Sequence, residues 1–141
     1  MTTPAITRPR KLTIVAQDPA IKVGEKIVTA QVDVPAENLA PGPRGYRIHV
    51  IDYDASTRTL YKPFTYPQGF ADRFLDPTDD VILNDPNFHA QNVYAIIMRI
   101  LARFEFALGR RVGWGFPGHQ LKVAPHAFAD ANAFYSSHDE A

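Results

Sequence analysis

The chain has 141 residues and a mass of 15.8 kDa, the size of one ordinary domain able to bury about two-thirds of its unfolded surface. It is formally neutral, with 15 Lys+Arg against 15 Asp+Glu, and its longest basic runs are Arg8-Pro9-Arg10-Lys11 and Arg110-Arg111, so a nucleic-acid surface is not expected. Zero Cys excludes disulfides, thiolate zinc sites and cysteine nucleophiles; no apolar run reaches a membrane span, and the opening MTTPAITRPRK lacks the apolar stretch of a secretory signal, so the expectation is a cytoplasmic protein without membrane contact.

Residues 1–62 read as β-rich. Leu12-Thr13-Ile14-Val15 is a β-branched run, and Val28, Ala30, Val32 and Val34 alternate with polar residues at the period of a half-buried strand. Pro41-Gly42-Pro43-Arg44-Gly45 marks a turn. Tyr46, Ile48 and Val50 form another alternating run, to which residues 58–62 are expected to return as a hairpin. Residues 63–85 lose periodicity and read as a long loop, its aspartates Asp72, Asp76, Asp79, Asp80 and Asp85 solvated and lacking calcium-loop spacing.

Asp85 followed by Pro86 is a helix start, and no Gly or Pro follows until Gly109. Val93, Ile96, Ile97, Ile100, Phe104, Ala107 and Leu108 share one face, which predicts a helix over residues 85–108 that packs Val93, Ile97, Ile100 and Phe104 on a sheet, with Trp114 nearby. Within residues 119–135, strands are expected over 120–123 and 131–135. The fold class is α+β: a single domain, residues 1–141, with an antiparallel β-sheet packed against one long amphipathic helix.

Gly113 to Gly118 spells G-x-G-x-x-G but follows a helix and holds Pro117, which makes it a structural loop and not a dinucleotide site. The histidines form no H-x-x-x-H or H-E-x-x-H pair; His49 and His89 read as surface or capping residues, and His119 and His126 are seven apart across a Pro-containing stretch. No G-x-S-x-G elbow or P-loop lysine is present.

The run FHAQNVYAIIMRILARFEFALGRRV, then a Gly-rich loop, then HQLKVAPHAFADANAFYS, resembles the N-terminal half of the catalytic domain in thermolysin-like (gluzincin) zinc metallopeptidases, in particular the opening segment of bacterial proteins grouped with that clan. Asn132-Ala133-Phe134-Tyr135 is similar to the Asn-Ala-aromatic-aromatic edge strand of those enzymes, with Tyr135 standing where the family usually has Trp. The resemblance implies that Asn132, Ala133 and Tyr135 bind and support the main chain of a peptide or protein substrate, which adds to the sheet edge as a strand. Before residue 88 the likeness is to a β-rich N-terminal subdomain. The family's H-E-x-x-H helix and later Glu ligand follow this strand; the sequence contains neither and stops six residues after Tyr135, as though cut off. The chain is therefore expected to hold no metal, cofactor or catalytic residue of its own, zinc being implied for a longer family member, and to self-associate through an exposed edge strand. Alternatives are a stand-alone peptide- or protein-binding module, or an enzyme whose candidate residues are His119, His126 and Glu105.

Overall fold

A computed structural model describes residues 8–66, 71–130, 132–136 and 138. Strand β1 (Arg10–Val15) pairs antiparallel with β4 (Thr29–Val34), Arg10 opposite Val34 and Val15 opposite Thr29. Between them in sequence, β2 (Lys22–Val23) and β3 (Lys26–Ile27) form a tight ladder across Gly24, at φ 59, and Glu25, at φ 64. Strand β5 (Ile48–Val50) has its partner far along the chain, in β8 (Leu121–Val123), and the two run parallel. The hairpin forms one step later than the alternation suggests, between β6 (Tyr53–Asp54) and β7 (Thr59–Leu60), because Asp54 accepts hydrogen bonds from Ser56 and Thr57 and closes the turn at once. Among the described residues the strands thus lie in four separate two-stranded ladders, three antiparallel and one parallel, and not in the single antiparallel sheet that the sequence predicts.

The expected loop over residues 63–85 contains a short helix, α1 (Asp79–Asn84), started by the Thr78 hydroxyl accepting from the Val81 N–H and by Asp79 and Asp80 in its first turn. Residues 67–70 of that segment lie outside the described residues. Helix α2 (Pro86–Leu108) begins and ends where the sequence says. The Asp85 carboxylate accepts from the Asn87 N–H at 2.8 Å, Pro86 takes the first turn without losing a hydrogen bond, and Gly109 closes the helix in the left-handed region at φ 65. No helix among the described residues is long and apolar enough to cross a membrane.

Helix α2 packs against β1, β4 and β5. The buried side of α2 is Phe88, Gln91, Tyr94, Ala95, Met98 and Leu101, set against Leu12, Val34, Ile48 and Val50 and closed by Phe64, Phe74 and Ile82. This corrects the expected packing face. Val93 and Ile97 are half-buried at its margin, as is Trp114, but Ile100 is 51% and Phe104 60% exposed. The face of α2 turned inward is the one whose polar atoms find partners: Gln91 donates to the Thr13 carbonyl and Asp72 and accepts from the Tyr66 hydroxyl, and the Tyr94 hydroxyl donates to Glu37.

Asp72, Asp79 and Asp85 are likewise structural, while Asp76 and Asp80 are exposed, as the solvated reading expects. Asp72 accepts from both the N–H and hydroxyl of Thr13, from Phe74 N–H and from Gln91, and Asp79 accepts from the Ile27 N–H at 3.0 Å. Glu37 explains one glycine: a Cβ on Gly45 would sit 2.0 Å from its carboxylate oxygen.

Candidate functional site

A groove of about 490 Å³ runs between α2 and the chain that follows β8. Val93 and Ile97 of α2 form one wall, β8 the floor, and Phe128 with Asn132, Ala133, Phe134 and Tyr135 the other wall. It is mostly apolar, with Lys122, Asp130 and Asn132 as its polar groups. The far wall is braced by its own aromatics, since Phe128 and Phe134 stack at 5.4 Å, and the Tyr135 hydroxyl lies 3.6 Å from where a Cβ on Gly115 would stand.

The structure brings the three residues assigned to substrate binding, Asn132, Ala133 and Tyr135, to this groove, but not as an edge strand. Residues 132–136 join no ladder; Ala131, the start of the expected strand, and residues 137 and 139–141 of the tail lie outside the described residues. The Asn132 side chain instead accepts from the next N–H, Ala133, at 2.8 Å, an arrangement that a short polar side chain favours when no neighbouring strand competes for the backbone. The expected edge strand at residues 132–135 is therefore not formed among the described residues.

Beside the groove, between Pro125 and Ala127 of its wall, His126 forms a cluster that no sequence spacing announces. Its Nδ1 lies 2.5 Å from the Asp52 carboxylate and its Nε2 2.9 Å from His89 Nδ1, while His89 Nε2 lies 2.8 Å from the Ile82 carbonyl. Asp52, just after β5, is 8% exposed. Tyr61 stands edge-on to the His126 ring at 5.7 Å, its phenol held above the ordinary value by desolvation, by Asp54 and, least, by Asp52. Asp54, bonded to Ser56, is lowered to about 2. His89 and Asp52 lie 37 and 74 residues from His126 in sequence, so no local pattern could have found this trio.

His119, His126 and Glu105 are not brought together as one site. Glu105 is spent on Arg47, 3.1 Å away, and Arg47 also donates to the Val112 carbonyl and covers the Trp114 ring. His119 stacks on Tyr46 at 4.4 Å, and its carbonyl accepts from the Trp114 indole. His49, half-buried, has its pKa lowered by desolvation first and then by Arg44 and Lys122.

Among the described residues no group of three or more His, Asp or Glu side chains is placed to hold a metal, and all four ring nitrogens of His89 and His126 are in hydrogen bonds. Comparison of the chain with protein-family models, with curated proteins and with solved structures gave no match in any of the three.

Proposed function

We propose that this chain is the substrate-holding, β-rich subdomain of a thermolysin-like zinc metallopeptidase and is not catalytic by itself. The observation that supports this reading most is the convergence of Asn132, Ala133 and Tyr135, the residues of the Asn-Ala-aromatic-aromatic motif, on one apolar groove against α2. Such a groove suits an extended peptide: apolar side chains enter between Val93, Ile97 and Phe128, and main-chain groups meet the backbone of residues 132–135. For the peptide to bind, Asn132 must release the Ala133 N–H and turn its amide outward. The zinc-binding half is assigned to sequence outside these 141 residues, because they contain no H-E-x-x-H.

Calorimetric titration with a blocked, extended apolar hexapeptide tests the groove. Saturable binding that weakens about tenfold in Asn132→Ala, the size of one or two lost hydrogen bonds, supports the reading; equal affinity in wild type and variant contradicts the role of Asn132. Peptide mapping of the native protein tests the peptidase assignment. An H-E-x-x-H segment in the same polypeptide supports it, whereas a native protein without one, still binding the peptide, favours a stand-alone binding module.

A further inference from the structure

The Asp52–His126–His89 cluster ends on both sides in a group that only accepts. The Ile82 carbonyl requires a hydrogen on His89 Nε2, and the Asp52 carboxylate requires one on His126 Nδ1. The middle bond, between His89 Nδ1 and His126 Nε2, requires one hydrogen shared between two nitrogens. With Asp52 ionised, all three bonds are made only when the four ring nitrogens carry three hydrogens, one more than two neutral imidazoles carry, so in that state the pair holds one positive charge against the buried carboxylate. Losing a hydrogen leaves either two acceptors facing each other or a carboxylate without its partner. Gaining a fourth sets two N–H groups against each other at the middle bond. The chain of bonds is complete in one protonation state.

These bonds tie three separate parts of the fold. Asp52 follows β5, His89 stands in the first turn of α2, and His126 belongs to the segment that leaves β8 and becomes the groove's far wall. No ladder holds that segment among the described residues. Around the pair, Tyr61 faces the His126 ring edge, Asp54 is bonded to Ser56, Thr57 and Tyr61, Asp85 caps α2 through Asn87, and Asp79 and Asp80 of α1 are bonded to Ile27 and Asn84.

We propose that Asp52, His126 and His89 are a proton-counted latch that fixes the far wall of the groove on α2, so that the wall is held in one window of pH and released on either side of it. Its bearing on ligand binding rests on the reading of the groove as a peptide site; the proton count does not. Asp52→Asn is the informative variant. The carboxamide can turn its NH₂ toward His126 Nδ1, so that two ring hydrogens complete the same chain and the wall stays latched where the wild type has lost its third.

The test combines nitrogen NMR of the imidazoles in the whole chain with amide exchange, normalised to intrinsic rates, across about pH 4 to 10, a range that brackets carboxyl and imidazole titration. The expected result is three hydrogens on the His89–His126 pair at the protection maximum. Protection of the 126 and 127 amides should fall about tenfold, the scale of one hydrogen bond, to both sides. In Asp52→Asn the alkaline fall should disappear, and in His126→Phe protection should be low throughout. Two hydrogens on the wild-type pair at the protection maximum, or protection flat with pH, overturns the latch even if a variant fails to fold. If protection follows the window but the hexapeptide binds at no pH, the latch stands and the peptide reading of the groove falls.

Discussion

Asp72 shows how much of this molecule rests on single polar side chains. Burial disfavours its charge, but hydrogen bonds from the Thr13 side chain, Phe74 N–H, Gln91 and Gln31 together outweigh burial and hold its carboxyl below the ordinary carboxylate value. A lowered acid stabilises the fold above its unfolded pKa, near ~3.9, and that contribution is lost as pH falls through the lower folded value. Asp72→Asn turns a strong acceptor partly into a donor against Gln91, and we expect it to cost about 1 to 3 kcal/mol at neutral pH. Urea unfolding checks this: the gap between wild type and variant should be constant near neutrality and should close at acid pH, and equal midpoints at neutral pH would contradict the role given to Asp72. Gln91, fully buried, bridges the same carboxylate to Thr13 and Tyr66. Gln91→Leu orphans the Thr13 carbonyl and the Tyr66 hydroxyl, and a loss of about 2 to 4 kcal/mol in the same assay is expected.

Among elements, α2 was the most legible and the most misleading. Asp85-Pro86 and Gly109 mark its ends through purely local physics, the capping carboxylate, the free first-turn N–H groups and the left-handed closing residue, and the structure places them there. Which side faces inward is not local. Two stripes about one residue apart compete, and the more apolar one, Val93, Ile97, Ile100 and Phe104, lies outside or at the margin, because the inward stripe carries Gln91 and Tyr94, whose partners come from Thr13, Asp72, Tyr66 and Glu37. A periodicity argument counts Gln91 as polar and sends it to solvent. The parallel pairing of β5 with β8 escaped for the same reason, since it joins residues some seventy positions apart. The consequence is measurable: Ile100→Asp should change stability by about 1 kcal/mol or less, whereas Met98→Ala, 5% exposed, should cost about 2 to 5 kcal/mol. Thermal unfolding of the two variants in the opposite order would overturn the packing of α2.

For the molecule as a whole, a core shared by β1, β4, β5 and α2 holds up a groove whose far wall is secured by side chains more than by backbone ladders. The letters of residues 132–135 single them out by resemblance to a substrate-binding motif, but they do not fix a conformation, which depends on whether a neighbouring strand is there to pair with them. Nor could the His126 cluster beside the wall be read, since it joins residues 37 and 74 positions apart. The central claim is that an extended peptide lies between α2 and residues 132–135. Amide and methyl chemical-shift mapping during titration with the blocked hexapeptide tests it most directly. Saturable shifts centred on Val93, Ile97, Lys122 and residues 132–135, with transferred contacts from the peptide to Phe128 or Tyr135, are the expected result; no saturable shifts, or shifts gathered instead around Glu37, Arg47 and Arg111, which line a separate cleft beside α2, would contradict it.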